Sequence, residues 1–354
     1  MHCLNRLAWS RLLLGLVLIN TSLSALAADP AWAGVWRGTI GKAPVSMCFN
    51  SDGGGSYYYF ARDIQLSLAH KESGDWEEYL PNAEEPSGTL AMRLNGNFLR
   101  GYWHSPSSNR KAALNLHRVA FNPEDEPCYS SAFHQTRLTL QKIRVSAPKK
   151  FAGNSFRSLI ARSVTGIEIV DPLNQSTTKI NLLLRQSFDK NRLHLFQCIG
   201  NTQGMPTGEW NTNQTIQVWS NHWLVVTDIG DYWCGDAHPD NLYSATIYDL
   251  DKGQKLDIRR WFKPKFWNPE FHSIRVDSKL GKLVLKTLDP VEENAPFITQ
   301  YSIWPSKKGM IFYPLVAHVM QASAEEILIP YPKLKPYLNA AGLKAVNELM
   351  QEYP

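Results

Sequence analysis

The feature that most limits the fold of this chain is a series of short strand-like runs between residues 32 and 118. Turn residues separate the runs, and Asn95-Gly96 is a pair typical of two-residue hairpin turns. Apolar residues alternate within residues 89–94, so Leu90, Met92 and Leu94 share one face of a strand. Many short strands at even spacing predict an all-β antiparallel meander, closed into a small barrel or strongly curved, over residues 28–147.

The second half of the chain, residues 148–354, mixes two periodicities. Residues 174–191 place apolar side chains at helical spacing and predict a helix. Strands are predicted again from residue 215 onwards, and two short helices at residues 330–338 and 340–351. Strands are also predicted at residues 137–145, 282–288 and 297–304. We therefore expect an α+β domain with an antiparallel sheet and few helices.

Residues 1–27 have the pattern of a signal peptide. Arg6 and Arg11 precede an apolar run at residues 12–19, and the small residues Ala25 and Ala27 favour cleavage after Ala27. The apolar run is too short to cross a bilayer, which needs about 20 residues. We expect a periplasmic or secreted protein without stable membrane insertion.

Charge narrows the class of partner. Cleavage removes two arginines and no acid, so the net charge of +5 becomes +3 in the mature chain. Proteins that bind nucleic acid normally carry a concentrated basic face. A nucleic acid is therefore not the expected partner, and the mild charge is compatible with a protein or peptidoglycan partner in the envelope.

Four cysteines follow the predicted cleavage point, and an even number in an exported chain indicates two disulfides. Three connectivities are possible. Pairing of neighbours, Cys48 with Cys128 and Cys198 with Cys234, gives one bridge to each domain and is our expectation. A cysteine nucleophile is disfavoured because this pairing leaves no free thiol.

The segment DYWCGDAHPD, residues 231–240, concentrates residue types that carry enzyme chemistry. Asp236, His238 and Asp240 would share one face of a regular strand, but Pro239 opposes a regular strand. No H-E-x-x-H zinc motif or G-x-S-x-G nucleophile motif occurs in the sequence. We predict a structural loop with no metal and no cofactor, in which Gly235 adopts an unusual φ.

Aromatic residues supply the candidate binding sites. Tyr57 and Tyr59 occupy one strand face, and Tyr58 and Phe60 the other, so one face must meet solvent, a partner or a barrel lumen. The acid pair Glu77-Glu78 is interpreted as solvated. The complete set of predicted binding residues is Tyr57, Tyr59, Trp103, Tyr232, Trp233, Asp236 and His238.

Two motifs in the second half occur in the order found in a known family. CGDAHP at residues 234–239, followed by SATIYDLDKGQKL, and ILIPYPKL at residues 327–334 resemble a bacterial extracytoplasmic domain family of unknown function with a Gly-x-Ala-His-Pro motif. The resemblance covers about residues 155–345, and Asp236 replaces a glycine of the motif. Its relatives include an anti-sigma factor that senses lysozyme and the accessory region of a peptidoglycan deacetylase. The resemblance implies binding at the cell envelope.

These observations lead to one functional hypothesis with two alternatives. We expect an exported, non-enzymatic binding protein whose partner is a lysozyme-like protein or a cell-wall component. The first alternative is a hydrolase of cell-wall polymer with Asp236 and His238 in a cleft. The second is a carrier that holds a small apolar ligand in the β domain.

Overall fold

The computed structural model describes residues 30–62, 64–201, 208–268, 273–287, 300–316 and 324–353. The predicted signal peptide lies outside these residues. Within the described ranges, no helix has the length and apolar character needed to span a membrane.

The N-terminal part of the chain forms a closed antiparallel barrel, which confirms the predicted all-β architecture. A 3-10 helix at Pro30–Trp32 precedes it. Each strand pairs with the next along the chain, and the last strand pairs with the first. The strands are β1 (Gly34–Ile40), β2 (Ala43–Phe49), β3 (Gly55–Tyr59), β4 (Gln65–His70), β5 (Trp76–Tyr79), β6 (Gly88–Asn95), β7 (Phe98–His104) and β8 (Lys111–Val119).

Large side chains fill the lumen of this barrel. Along β6, Leu90 and Met92 are buried, as the alternation predicted, and they pack with Trp36, Tyr57 and Trp76. A barrel of eight strands is just wide enough for side chains to fill it. The hypothesis of a small apolar ligand carried in the lumen is therefore not supported, because side chains occupy that space.

The predicted strand at residues 137–145 is wrong in its first part. After a 3-10 helix at Pro127–Tyr129, residues Ser131–Leu140 form helix α1, and only Arg144–Val145 is a strand, β9. Ser130 caps the helix by accepting a hydrogen bond from the backbone of Phe133. The alternating leucines suggested a strand, but Leu140 is 57% exposed, whereas Phe133, His134 and Arg137 form the buried stripe.

Beyond α1 the chain builds a sheet in the order β10-β11-β12-β13-β14-β15-β16, with β9 also paired to β11. Neighbours are antiparallel except β12 and β13, which pair in parallel. The predicted boundary at residues 147–148 falls between β9 and β10. The strands are β10 (Lys149–Phe151), β11 (Asn154–Ala161), β12 (Val164–Asp171), β13 (Glu209–Trp219), β14 (Trp223–Trp233), β15 (Asp240–Asp249) and β16 (Gln254–Leu256).

Helix α2 (Gln175–Asn201) covers one face of this sheet and confirms the predicted helix. Ile180, Leu184 and Phe188 of its apolar stripe are fully buried. Gly166 on β12 allows the close approach, because a Cβ atom there would lie 2.6 Å from the ring of Phe188. Arg192 of α2 is buried and donates to Gln141, which follows α1, at 2.7 Å.

Short elements of the C-terminal part pack against the other face of the sheet and form a second hydrophobic core with it. The predicted strand at residues 282–288 is wrong: Lys279–Thr287 forms helix α3, whose buried Leu280 and Val284 are one helical turn apart. The predicted strand at residues 297–304 lies partly outside the described residues, and its described part starts β19 at Tyr301. The remaining elements are the 3-10 helices Ile258–Trp261, Pro264–Phe266 and Lys335–Tyr337, strands β17 (Trp267–Asn268), β18 (Ser273–Ile274), β19 (Tyr301–Pro305), β20 (Gly309–Pro314) and β21 (Ile327–Pro330), and helices α4 (Tyr331–Leu334) and α5 (Ala340–Glu352).

The two predicted C-terminal helices are thus present, as α4 with its 3-10 extension and as α5. Asn339 starts α5 by accepting a hydrogen bond from the backbone of Gly342 at 3.0 Å. The whole second part is α+β with few helices, as the sequence predicted.

Candidate binding surface

Both predicted disulfides form, with neighbours in sequence paired. Cys48 bonds to Cys128 and fixes the segment before α1 to β2, with the Cα atoms 5.1 Å apart. Cys198 bonds to Cys234 and ties α2 to the end of β14, with the Cα atoms 4.5 Å apart. These separations are usual for disulfides. Each bridge therefore fastens a helical segment to a sheet.

The polar loop at residues 231–240 uses its hydrogen-bonding groups internally. The hydroxyl of Tyr232 donates to Asp240 at 2.9 Å, and the indole of Trp233 donates to the backbone carbonyl of Asp236 at 2.7 Å. Gly235 has a φ of +96°, which glycine adopts without strain. Loop residues thus satisfy the polar tips of both aromatic side chains.

A stack of rings continues from this loop to α2. Trp210 lies over Tyr232 with ring centroids 4.6 Å apart, and His194 of α2 stacks on Trp210 at 5.0 Å. Burial, together with the hydrogen bond to Asp240, raises the pKa of the Tyr232 phenol to about 12. This phenol therefore remains a hydrogen-bond donor throughout the ordinary pH range.

Asp236 and His238 lie on the turn between β14 and β15, and both are exposed. The hydrolase hypothesis required them in a cleft, and the structure places them on the surface instead. Among the residues that the structure describes, no group of three or more His, Cys, Asp or Glu side chains is arranged to hold a metal ion.

Three predicted residues, Tyr57, Tyr59 and Trp103, come together inside one end of the barrel, and Glu78 is the shared hydrogen-bond partner of Tyr57 and Trp103. The Tyr57 hydroxyl donates to Glu78 Oε2, and the Trp103 indole donates to the same oxygen at 2.8 Å. The Ser87 hydroxyl donates to Glu78 Oε1 at 2.7 Å. Tyr59 lies next to Tyr57, with the two hydroxyls 3.5 Å apart.

The interpretation of Glu78 as a solvated charge is wrong, since its exposed fraction is 5%. It lies two residues after the buried Trp76, so strand alternation points both side chains into the lumen. Its neighbour Glu77 faces outward and pairs with Lys71 at 2.7 Å. Burial and the nearby Glu78 carboxylate raise the pKa of the Tyr57 phenol, which therefore stays protonated as a donor.

The residues around Glu78 therefore hydrogen-bond to one another, and two of the exposed aromatic residues lie on the outer face of β6, β7 and β8. Phe98 is 49% exposed and Tyr102 is 46% exposed. We call this surface the cationic face and define it by Arg93, Phe98, Arg100, Tyr102 and Lys111, with the smaller residues Ala91, Ala113 and Asn115 between them.

Cations lie against both exposed rings of the cationic face. The Lys111 ammonium lies 3.7 Å from the centroid of the Tyr102 ring, and the Arg100 guanidinium lies 5.5 Å from that of Phe98. Arg93 and Arg100 are directly opposite each other in the β6–β7 register. Like charges in directly opposed positions destabilise a sheet. The Arg93–Arg100 pair therefore lowers the stability of the sheet locally, and folding gives no reason for placing the two arginines there.

The same face contains a groove of about 700 Å³. Its lining includes Ala91, Arg93, Arg100, Tyr102 and Asn115. From the run FLRGYWH, the predicted set of binding residues contains Trp103 but not Tyr102. Strand alternation was the signal that separates them, because Trp103 shares its face with the buried Leu99 while Tyr102 points outward.

Comparisons with known proteins identify structural neighbours but no family model or curated relative. No family model matches the chain, and no curated protein matches it. One structural neighbour is a DUF3298 family member from Bacteroides fragilis, with 13% identity and a TM-score of 0.38, covering 60% of this chain and 98% of its own. Another is a DUF3298 family protein from Pseudomonas aeruginosa, with 8% identity and a TM-score of 0.37, covering 56% and 94%.

Both neighbours thus belong to a bacterial family without an assigned function. Their identities and TM-scores are low, so the likeness assigns no activity and no partner to this chain. The Gly-x-Ala-His-Pro motif and the link to a lysozyme-sensing anti-sigma factor stay predictions from the sequence.

Proposed function

We propose that this chain is an exported, non-enzymatic binding protein of the bacterial cell envelope, which docks through the cationic face of its barrel. The observation that carries the proposal is the arrangement of two exposed rings beside two directly opposed arginines. Aromatic residues and arginine are the residue types that dominate the binding energy of protein interfaces.

The barrel is a suitable support for such a surface. Strands hold side chains in more precise positions than loops do. Phe98 and Tyr102 stand on one strand, four residues apart, and both point outward. The Cys48–Cys128 bridge fastens β2, on the same barrel, to the segment before α1. Aromatic anchors lose little conformational entropy on binding, because each has only two side-chain torsions.

The loop at residues 231–240 has a supporting part in this proposal. Tyr232 and Trp233, expected as binding residues, already donate their side-chain hydrogen bonds within the loop. The Cys198–Cys234 bridge holds the same loop to α2. We therefore assign this loop to stabilising the second part of the chain.

Binding to isolated envelope components tests the proposal. The chain from Ala28 onward is incubated separately with purified peptidoglycan, with envelope proteins and with a lysozyme, the partner that the sequence resemblance implies. We expect retention by at least one of these, and at least tenfold weaker retention of the double variant Phe98→Ser, Tyr102→Ser, because it loses both anchors.

The matched control is Leu80→Ser, which removes another apolar side chain of 46% exposure outside the cationic face. This variant should bind like the unmodified protein. The proposal fails if no envelope component retains the protein, or if the double variant binds as well as the Leu80→Ser control.

A further inference from the structure

We infer that the groove on the cationic face binds a sparsely carboxylated glycan chain, of the kind that the cell wall supplies as peptide-free strands. The inference rests on the proposed function, because it names the partner of the same surface. Four features of the groove support this inference. They are an aromatic ring between small side chains, an adjacent row of hydrogen-bond donors, two arginines without ion pairs in the described part of the chain, and a small total number of cations.

The first feature is space beside the Tyr102 ring. Tyr102 lies in register between Ala91 on β6 and Ala113 on β8. Alanine has the smallest side chain that carries a Cβ atom, so the residues on both sides of the Tyr102 ring rise little above the sheet. The Lys111 ammonium covers one face of the ring, but it stands on a flexible four-carbon side chain that can move aside for a ligand. Once Lys111 moves, the ring can stack on the C–H face of a sugar, and the low neighbouring residues on the sheet admit a linear chain.

The second feature is a row of hydrogen-bond donors beside the ring. Arg93, Arg100 and Asn115 are in register across the same three strands, two residues along from the Tyr102 row. The rise per residue in a strand places the two rows about 7 Å apart. A sugar stacked on the ring can therefore present an acidic substituent, its own or its neighbour's, to the donor row.

The third feature is uncompensated positive charge. Among the described residues, neither Arg93 nor Arg100 forms an ion pair. Asp75 lines the groove and offsets only part of the charge of the two arginines. A carboxylate between the guanidinium groups would remove their mutual repulsion and accept charge-assisted, bidentate hydrogen bonds.

The fourth feature is the small number of cations, which distinguishes this site from one for a dense polyanion. Two arginines face the groove and Lys111 stands at its side, while the mature chain is predicted to carry only +3. Nucleic-acid sites neutralise many phosphates at once. Two or three cations beside an aromatic ring instead match one or two carboxylates on an otherwise neutral sugar chain.

Calorimetric titration of the mature protein tests this inference. The probe is a tetrasaccharide of peptide-free peptidoglycan strand with free lactyl carboxylates, and the comparison ligand is its methyl ester. We expect the Arg100→Gln variant to bind the free acid at least tenfold more weakly, because it loses the charge-assisted hydrogen bonds from the guanidinium to the carboxylate. Tyr102→Ala should weaken the binding of both ligands.

The ester makes the test specific for the carboxylate. The unmodified protein should bind the ester at least tenfold more weakly than the acid. Arg100→Gln should discriminate less between acid and ester, because only Arg93 remains to meet the carboxylate. The charge-matched control is Arg144→Gln, an exposed arginine on β9 outside the cationic face. Its affinity for the acid should stay within twofold of the unmodified protein.

Two outcomes overturn the inference and can be told apart from failure of the proposed function. If acid and ester bind equally well, the carboxylate is not recognised. If the tetrasaccharide does not bind while an envelope protein is retained through Phe98 and Tyr102, the partner is a protein; the inference is then wrong and the proposed function stands. If no envelope component binds at all, both fail.

Discussion

Replacing Glu78 with leucine tests the hydrogen-bonded cluster inside the barrel. Leucine has nearly the volume of glutamate, so the change removes the acceptor with little loss of packing. Three donors now meet this carboxylate: the Tyr57 hydroxyl, the Trp103 indole and the Ser87 hydroxyl. Ser87 also lies 3.2 Å from the backbone carbonyl of residue 78, which the substitution keeps. The Trp103 indole therefore loses its acceptor, and the Tyr57 hydroxyl keeps only the long contact of 3.5 Å with the Tyr59 hydroxyl.

The size of the effect follows from burial. A buried donor without a partner costs about 1–3 kcal/mol. Tyr57 is fully buried and bears most of the cost, because the 3.5 Å contact with Tyr59 replaces its short bond to Glu78 only in part, whereas Trp103 is half-buried and bears less. Removing a carboxylate from a poorly solvated site returns part of this free energy. We expect Glu78→Leu to lower the free energy of unfolding by about 2–4 kcal/mol.

A second substitution identifies the cause. Tyr57→Phe removes the hydroxyl that Glu78→Leu deprives of its acceptor. The double variant should therefore be about 1–2 kcal/mol more stable than Glu78→Leu alone. In the unmodified background Tyr57→Phe should instead destabilise, because it removes a bond to a charged acceptor. Such opposite signs define an interaction between the two residues in a double-mutant cycle.

Urea unfolding followed by tryptophan fluorescence measures these differences, provided that the m-value is unchanged. The control is Glu77→Leu on the same strand, which breaks the exposed ion pair with Lys71 and the hydrogen bond from the Tyr79 hydroxyl at 2.8 Å, and should cost at most about 1 kcal/mol. The reasoning is refuted if the two leucine variants have equal stability, or if the Tyr57 and Glu78 substitutions are additive.

Three further measurements probe other contacts. Burial lowers the pKa of His134 to about 3, so the unfolded chain takes up a proton below about pH 6.5 while the folded chain does not. The unmodified protein should therefore lose up to about 1.4 kcal/mol per pH unit relative to His134→Gln on acidification towards pH 4, and parallel urea-unfolding curves against pH would contradict this. Replacing Cys198 and Cys234 with serine should cost about 3–4 kcal/mol, measured by urea unfolding without reductant, since their bridge closes a loop spanning 36 residues; an unchanged midpoint would argue against this. Gly38→Ala places a Cβ atom 2.0 Å from the Asn115 carbonyl and should destabilise the barrel by at least about 2 kcal/mol in the same assay, so near-neutral stability would show that the strands can separate there.

The candidate site could be predicted only in part. The sequence pattern indicated Tyr57, Tyr59 and Trp103 as binding residues, but Glu78, the acceptor that joins Tyr57 and Trp103, was expected to be solvated. An acidic residue is exposed in most proteins, and only the closure of the barrel around β5 buries this one. The exposure of Tyr102 could have been predicted from the sequence, because alternation along β7 places Tyr102 and Trp103 on opposite faces of the strand.

Features that depend on neighbours along the chain were determined by the sequence alone. The alternation on β6 required strands, the helical spacing at residues 174–191 required α2, and the even cysteine count indicated two bridges. Each is a local periodicity or a covalent constraint, so it does not depend on what packs against it.

Tertiary structure decided the features that depend on partners distant in sequence. Residues 131–140 are helical because Phe133, His134 and Arg137 pack between the barrel and α2, and two of these three are polar residues that a hydrophobic pattern counts as exposed. In the same way, only the pairing of β6 with β7 sets Arg93 opposite Arg100. Apolar periodicity specifies which segments become strands or helices, but strand register and packing partners determine which polar groups meet.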